Sequence, residues 1–221
     1  MAVWTVITGA NRGIGLALVE QLRDKGAHVL AVCRQSSAEL DATGVRVLSG
    51  VDVCDASTLS AISEALGSDS IDCLINNAGV LYRDALDQLS FDQIRHQFEV
   101  NSIGPLMVTQ SLLGHLGEGA KVAIVSSRMG SVSDNTSGGM YGYRMSKAAA
   151  NMAGQSLAVD LKPMGISVAI LHPGYVRTGM TGGTGYIDPP EAAEGLIARI
   201  DELNINNTGG FWHSNGTVLP W

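Results

Sequence analysis

Residues 2–33 contain the pattern that most constrains how this chain folds. Residues 2–8 are rich in β-formers and predict a short buried strand, which the glycine-rich stretch 8–15 (TGANRGIG) follows at once. Apolar residues then recur on one face of a helix that ends at Gly26, and residues 28–33 predict a second apolar strand. These segments form one β–α–β unit, which is typical of a parallel sheet covered by helices.

The remainder of the chain continues this alternation of strands and helices. Further apolar strands are predicted at 45–51, 71–75, 122–125 and 166–171, and helices at 55–66, 92–116, 143–162 and 190–203. Segment 36–43 is too short for a full crossover helix, and an Asn215-Gly216 turn precedes a last apolar segment at 218–221. Because no linker interrupts the alternation, we predict one domain over 1–221. Its fold would be α/β, a Rossmann-type doubly wound parallel sheet of about seven strands with helices on both faces.

The composition indicates which kinds of partner to exclude and in which compartment to expect the protein. The chain has 14 basic and 21 acidic residues without a run of lysine or arginine, so nucleic acid and membranes are not expected partners. Cys33, Cys54 and Cys73 form no Cys-x-x-Cys pair and the histidines show no ligand spacing, which predicts reduced thiols and no metal site. No apolar run reaches the ~20 residues that span a bilayer, and no leader precedes the first strand, so we expect a cytoplasmic protein.

The glycine-rich turn has the physical properties of a dinucleotide site. Glycines let the backbone approach a pyrophosphate, and the helix that follows offers free N–H groups and the positive end of its dipole. A turn that merely closes a loop is the alternative, but the position between a strand and a helix favours binding. The spacing Gly-x-x-x-Gly-x-Gly differs from the common Gly-x-Gly-x-x-Gly.

The end of the second predicted strand indicates which dinucleotide binds. An acidic residue there would accept hydrogen bonds from the adenosine ribose and select NAD. Arg34 stands there instead, and Arg12 lies in the glycine-rich turn. Either arginine alone is compatible with a solvated surface charge, but the pair is placed to clamp a 2′-phosphate. We therefore expect NADP(H) rather than NAD(H), with the Asp52 carboxylate at the adenine amino group.

A second chemical feature lies in residues 126–147. Tyr143 and Lys147 are four residues apart near the start of a predicted helix, so they share one face. A nearby ammonium group lowers the pKa of a phenol, which is ~10 when unperturbed, and makes the phenol a usable acid and base. Tyr141 lies about 240° from Lys147 around a helix, on the wrong face. Taken alone, Tyr-x-x-x-Lys is more often an exposed surface pair than a catalytic one.

Five motifs in this order resemble the short-chain dehydrogenase/reductase family over nearly the whole chain. They are residues 8–15, the turn 76–79, Asn101, the set Ser127, Tyr143 and Lys147, and residues 173–178. The trimmed length, the wording SGGMYGYR before the lysine and the closing aromatic residues are similar to the carbonyl-reductase and C-factor-like branch.

The resemblance implies a catalytic tetrad. Tyr143 would be the acid and base, and Lys147 would lower its pKa while binding the nicotinamide ribose. Ser127 would donate a hydrogen bond to the substrate carbonyl. Ser126 and Ser127 point to opposite faces of a strand, and the family pattern places the second serine in the site. Asn101 would hold a water that connects Lys147 to solvent.

The resemblance also implies the residues that contact the cofactor, with Val176 and Thr178 at the nicotinamide amide. The predicted set is Gly9, Asn11, Arg12, Gly13, Ile14, Arg34, Asp52, Val53, Asn77, Ala78, Gly79, Tyr143, Lys147, Pro173, Gly174, Val176 and Thr178. The substrate site would be built into the C-terminal part of the domain.

The sequence therefore predicts an NADPH-dependent carbonyl reductase or alcohol dehydrogenase that acts on a small molecule. Segment 179–188 is short and glycine-rich, so we expect an open, weakly selective pocket. Its predicted borders are Met129, Met140, Tyr175 and Met180. Family members assemble through the helices near 92–116 and 143–162, so a homodimer or homotetramer is expected.

Two other interpretations stay open. A C-factor-like signalling or cofactor-sensing protein would use the same nucleotide-binding fold. An assembly subunit would use the small residues on one face of the helix at 143–162. A complete tetrad favours the enzyme, because nucleotide binding alone needs no Ser127–Tyr143 pair.

Overall fold

The computed structural model describes residues 2–221 and contains a seven-stranded sheet. Its strands are β1 (Val3–Thr8), β2 (His28–Val32), β3 (Arg46–Leu48), β4 (Ser70–Asn76), β5 (Leu116–Val125), β6 (Ser167–His172) and β7 (Gly210–His213). Their order across the sheet is β3-β2-β1-β4-β5-β6-β7, and each neighbouring pair is parallel. The doubly wound parallel sheet that the sequence predicts is confirmed.

Helices cover both faces of this sheet. They are α1 (Gly13–Asp24), α2 (Ala38–Ala42), α3 (Ala56–Leu66), α4 (Phe91–Phe98), α5 (Gly104–Ser111), α6 (Tyr141–Leu161) and α7 (Pro189–Glu202). Helix α1 packs against α7, and α4 packs against α6. Successive strand residues point to opposite faces, so Val6 belongs to the buried cluster under α3 and α5, whereas Ile7 belongs to the cluster under α1 and α7.

Three segments differ from the sequence-based boundaries. The strand predicted at 45–51 is only Arg46–Leu48, because Gly50 has a left-handed backbone (φ 83) that ends the extended run. The helix predicted at 92–116 is α4, a π-helical turn (Glu99–Ile103) and α5, and Leu116 already begins β5. Residues 218–221 form no strand and contribute one isolated bridge between Trp212 and Val218.

The π-helical turn has a sequence cause. Pro105 has no N–H, so it cannot donate to the carbonyl of Asn101 four residues earlier, and the α-helical ladder is interrupted there. The amide of Gly104 instead bonds to the carbonyl of Glu99, five residues earlier. The helix is therefore interrupted before the Gly104-Pro105 pair, and Asn101 lies within the interruption.

The three cysteines form no disulfide bond among the residues that the structure describes. Cys33, Cys54 and Cys73 are free thiols, and burial raises the pKa of Cys73 to about 12, so that thiol is chemically inert. Within residues 2–221 we find no helix with the length and apolar character needed to span a bilayer.

The topology determines where a ligand can bind. The chain runs from β1 outward through β2 and β3, then returns to place β4 on the other side of β1. In open α/β sheets the crevice at such a reversal, outside the carboxyl ends of the strands, is where ligands bind. The turn after β1, the turn after β4 and the end of β5 all meet at this edge.

Candidate active site

A cavity of about 710 Å³ lies at the carboxyl edge of the sheet. Its wall is built by the glycine-rich turn after β1, the ends of β2 and β5, residues 51–53, the turn after β4, the π-helical turn, the first two turns of α6 and residues 173–180. The lining residues are Gly9, Asn11, Arg12, Gly13, Ile14, Gly15, Val32, Cys33, Arg34, Gln35, Val51, Asp52, Val53, Asn77, Ala78, Gly79, Val80, Val100, Val125, Ser126, Tyr143, Lys147, Pro173, Thr178, Gly179 and Met180.

The structure brings most of the predicted site residues into this one wall. Those that lie outside the lining are Asn101, Ser127, Gly174 and Val176, together with Met129, Met140 and Tyr175 of the predicted substrate border. Val176 is buried and bridges to Ile187, and the backbone of Gly174 also packs against Ile187, so these two shape the turn from behind. Asn101 and Ser127 stand directly behind wall residues, as described below.

The glycine-rich turn is held against the turn after β4. A Cβ on Gly9 would lie 2.8 Å from the Cα of Ala78, and one on Gly15 would lie 2.2 Å from the carbonyl oxygen of Gly9, so neither position has room for a side chain. The Asn77 amide donates to the carbonyls of Thr8 and Gly9, both at 3.1 Å. The sequence predicts a cofactor contact for Asn77 and misses this structural role.

Helix α1 presents an uncapped N-terminus to the cavity. Its N-cap residue, Arg12, makes no side-chain cap, and the first turn contains no acidic residue. Gly13 to Gly15 line the cavity, so their N–H groups and the positive end of the helix dipole are available to an anion. Across the cavity, the Thr178 methyl group lies 3.3 Å from where a Cβ on Gly13 would be.

One end of the cavity carries an arginine and an acid together. The Arg34 guanidinium lies 3.9 Å from the Asp52 carboxylate, and both side chains are well exposed to solvent. The second Asp52 oxygen accepts a hydrogen bond from the Cys54 N–H at 3.0 Å. An exposed ion pair of this kind contributes little to stability, so the Arg34 guanidinium is free to reorient toward a ligand.

Tyr143 and Lys147 line the other end of the cavity, and Ser127 lies next to the Tyr143 phenol outside the lining. Tyr143 and Lys147 are 8% and 5% exposed. The Lys147 Nζ lies 5.9 Å from the centre of the Tyr143 ring and donates to the Val125 carbonyl at 2.9 Å. The Ser127 hydroxyl is within hydrogen-bonding reach of the phenol, whereas the Ser126 hydroxyl turns away and donates to the Asn151 amide oxygen at 2.5 Å.

Burial dominates the ionisation of both Tyr143 and Lys147. Burial raises the pKa of Tyr143 to about 12, with the Ser127 hydrogen bond acting in the opposite direction. Burial lowers the pKa of Lys147 to about 8. Burial therefore outweighs any effect of Lys147 on the Tyr143 pKa in this structure, and the expected lowering of that pKa by the Lys147 ammonium group stays a prediction.

Asn101 has a full set of partners inside the protein. Its amide nitrogen donates to the Val80 carbonyl and to the Ser146 hydroxyl, both at 2.9 Å, and its amide oxygen accepts from the Val80 N–H at 2.8 Å. The side chain thus fastens the loop after β4 to α6. A Cβ on Gly79 would lie 3.2 Å from the Asn101 amide oxygen and 3.7 Å from the Lys147 Nζ, so the two side chains are near neighbours.

The side of the cavity near Met180 is open to solvent. Met180 lines the wall and is 42% exposed, and Tyr175 is 41% exposed. Tyr175 packs edge-to-face on Tyr186 at 5.4 Å between ring centres and hydrogen-bonds to Thr184. These contacts give segment 179–188 a defined shape, which the sequence does not indicate.

Sequence reasoning also misses Asp84, whose carboxylate accepts hydrogen bonds from the N–H groups of Tyr141 and Gly142. A signal was present in the sequence. The three residues before α6 read Gly-Gly-Met and offer no Ser, Thr, Asp or Asn as an N-cap. A helix that starts without a local cap needs a partner from elsewhere in the chain.

Comparisons with known proteins identify the family that the chain matches. The model of the short chain dehydrogenase family matches residues 3–185. The 1-hydroxy-2-glutathionyl-2-methyl-3-butene dehydrogenase of Rhodococcus sp. (strain AD45) is 45% identical over 222 residues, which cover 98% of each chain. The C-signal protein of Myxococcus xanthus is 45% identical over 154 residues, which cover 68% of this chain and 93% of the C-signal chain.

A solved structure extends the similarity to the whole fold. The carbonyl reductase of Pseudomonas aeruginosa PAO1 in complex with NADP superposes with a TM-score of 0.88 at 33% identity, and the alignment covers 100% of both chains. The similarity to C-signal and to a carbonyl reductase confirms the branch that the closing residues of the sequence indicate.

Proposed function

The chain belongs to the short-chain dehydrogenase family, and we propose that it is an NADPH-dependent carbonyl reductase or alcohol dehydrogenase. The family makes it an oxidoreductase that works by hydride transfer. One observation carries the finer assignment: a single cavity joins an uncapped helix N-terminus and Arg34 at one end to buried Tyr143 and Lys147 at the other. The carbonyl reductase that superposes on the chain has NADP in its structure.

Different residues of the wall would bind different parts of the cofactor. The N–H groups of Gly13 and Ile14 would bind the pyrophosphate at the positive end of α1. Arg12 and Arg34 would bind the 2′-phosphate, because guanidinium groups form charge-assisted bonds to phosphate oxygens. Asp52 would meet the adenine, and Thr178 the nicotinamide amide. NADPH, when bound, supplies the hydride.

Tyr143 would supply the proton for the same reaction. With a pKa of about 12 the phenol is protonated near neutral pH, which is the state that reduction of a carbonyl requires. The phenol would give this proton to the carbonyl oxygen of the substrate, so that the reduced carbonyl becomes an alcohol. The Ser127 hydroxyl would hold that oxygen through a hydrogen bond, so both protein groups act on one atom.

Lys147 and Asn101 would restore the proton. Lys147 is cationic near neutral pH and stabilises the phenolate that remains on Tyr143. The Asn101 carbonyl lacks its α-helical donor because Pro105 has no N–H. A water at that carbonyl, beside Lys147, would pass a proton from solvent back to the site.

The 45% identity to the Rhodococcus enzyme over almost all of both chains supports one substrate subclass. A hydroxylated thioether of glutathione, oxidised at its alcohol carbon, belongs in the substrate panel beside simple aldehydes and ketones. The exposure of Met180 and Tyr175 supports an open pocket that admits more than one shape.

A signalling or cofactor-sensing role is the second candidate, because the chain is 45% identical to C-signal over 154 residues. Such a protein would need the glycine-rich turn and Arg34 but not the Ser127–Tyr143 pair. Loss of the Tyr143 hydroxyl would therefore leave a pure sensor unchanged and would stop an enzyme.

Assembly as a homodimer or homotetramer is also proposed. Apolar side chains on α4 and α6 are exposed in the single chain, among them Phe91, Met145, Met152 and Val159. Together these side chains would lose their solvent exposure against a second copy. Light scattering of the purified protein measures the state directly, and a monomer at all concentrations would contradict this proposal.

The experiment that tests the function compares Tyr143→Phe with Tyr141→Phe. NADPH oxidation is followed across aldehydes and ketones, and NADP⁺ reduction with a hydroxylated glutathione thioether. We expect Tyr143→Phe to bind NADPH normally and to lose ~10²- to 10⁴-fold in turnover, the usual contribution of general acid catalysis. Tyr141 lies outside the wall, so its variant should retain turnover. Wild-type rates in Tyr143→Phe would disprove the assignment.

A further inference from the structure

Helix α6 begins without a cap of its own. Its N-cap residue is Met140, which has no side-chain acceptor and stands in the left-handed region (φ 54, ψ 40). The first turn of α6 contains no acidic residue. Tyr143 is the third residue of this helix, so it lies in the turn whose N–H groups have no intrahelical acceptors.

Asp84 supplies the missing cap from a different part of the chain. One carboxylate oxygen accepts from the Tyr141 N–H at 2.5 Å, and the other accepts from the Gly142 N–H at 3.0 Å. The Asp84 carbonyl accepts from the Met140 N–H at 3.2 Å. One residue thus accepts hydrogen bonds from three consecutive amides, and its negative charge also interacts favourably with the positive end of the helix dipole.

The Asp84 carboxylate sits in a fitted site. Gln97 is fully buried, and its amide oxygen accepts from the Tyr82 N–H at 2.9 Å. A Cβ on Gly142 would lie 2.4 Å from the Gln97 amide nitrogen and 3.2 Å from an Asp84 carboxylate oxygen. The absence of a side chain at Gly142 is what lets the buried amide and the carboxylate approach the helix start together.

We infer that Asp84 is a positioning residue for Tyr143: it caps α6 from the loop after β4 and so fixes the place of the phenol. The inference rests on the proposed role of Tyr143 as the acid. The loop is fastened to α6 at two points, through Asp84 at Tyr141 and through Asn101 between Val80 and Ser146. The same loop lines the cavity at 77–80. Asp84 therefore couples the wall of the nucleotide site to the start of the helix that carries the phenol.

Steady-state kinetics of Asp84→Ala and Asp84→Asn test this role, with Asp87→Ala as the matched control on the same loop. Asp87 is exposed and its substitution should change nothing. With 4-nitrobenzaldehyde as the probe, we expect Asp84→Ala to lower kcat about tenfold, because a displaced phenol donates its proton less efficiently. The KM for NADPH should change less than twofold, because no cavity residue is altered. Asp84→Asn retains one acceptor and should fall between Asp84→Ala and the wild type.

Hydrogen exchange gives a reading that does not depend on turnover. The amides of Tyr141 and Gly142 should exchange much faster in Asp84→Ala, while those in the middle of α6 stay protected. Unchanged exchange at these two amides would overturn the inference, whether or not the wild type reduces a carbonyl. A wild type that reduces no carbonyl would instead contradict the proposed function.

The kinetic measurements also have outcomes that would overturn the inference. In a wild type that does turn over, a full kcat in Asp84→Ala would overturn the inference, and so would an equal loss of kcat and NADPH binding. If Asp84→Ala unfolds, Asp84→Asn is used for the test instead. A reduced kcat in Asp84→Asn, with a melting temperature equal to that of the wild type, supports the inference. A wild-type kcat in Asp84→Asn with wild-type exchange would defeat it.

Discussion

Replacing Lys147 with methionine should make the resting protein more stable while it removes activity. Lys147 is 5% exposed and its hydrogen bond goes to the Val125 carbonyl, not to a carboxylate. Burial lowers its pKa from 10.5 to about 8. A shift of this size corresponds to roughly 3 kcal/mol of cost for the charged form in the native state. Methionine retains the length of the apolar stem and carries no charge.

The pH dependence fixes the sign of this prediction. Between about pH 8 and 10.5 the unfolded chain keeps a proton on Lys147 that the native state has lost. The stability of the wild type therefore rises with pH across this window relative to the variant. At pH 7 the native lysine is charged and the full cost is present. The advantage of Lys147→Met should be largest near pH 7 and should shrink steadily above pH 8.

Urea unfolding of the protein without nucleotide, from pH 6.5 to 9.5, measures the difference. Part of the gain is offset by the lost hydrogen bond to Val125, so we expect about 1–3 kcal/mol at pH 7. Lys162→Met is the matched control, since Lys162 is exposed just after the end of α6 and should give no advantage. A variant no more stable than the wild type at pH 7, or an advantage that does not vary with pH, would refute the reasoning.

Two further substitutions test the cofactor end and the helix start. Arg34→Asp should raise the KM for NADPH by about tenfold or more and shift preference toward NADH, since charge-assisted bonds contribute ~1.5–3 kcal/mol. Arg95→Asp, which changes an exposed arginine on α4, should leave both KM values alone, and a parent without NADPH preference would contradict the clamp. Met140→Gly should raise the melting temperature by about 2–4 °C by relieving the left-handed backbone. Met129→Gly is its control, and an equal rise there would exclude this cause.

The sequence predicts the architecture well because periodicity is a local property. Runs such as 28–33 and 166–171 alternate with amphipathic helices, and this alternation alone requires a parallel sheet. The third strand shows where local information ends. Residues 45–51 are apolar enough for a strand, and the Gly50 and Val51 amides do bond to the carbonyls of Arg34 and Cys33, just after the end of β2. The strand ends at Leu48, shortly before the left-handed backbone of Gly50. The pattern of apolar residues cannot predict this φ angle.

The same limit separates the site residues that the sequence finds from those it misses. Gly9, Asn77, Tyr143 and Lys147 sit in short motifs, so their spacing locates them, and the cavity wall contains all four. Asp84 acts on a helix that begins more than fifty residues later, and nothing adjacent to it marks that role. A cap supplied across the chain becomes visible only when the missing local cap is noticed at Met140.

The ionisation of Tyr143 and Lys147 illustrates why burial must be known before a mechanism is written. Both groups are driven toward their neutral forms, with pKa values of about 12 and about 8. At neutral pH, however, Lys147 is still charged. At an effective dielectric constant of ~20, a unit charge 5.9 Å from the phenol ring attracts a phenolate by about 3 kcal/mol. That attraction is absent while Tyr143 is neutral and grows as its proton leaves. In the proposed reaction, Lys147 would thus stabilise the transition state more than the resting site, which is the condition for raising kcat.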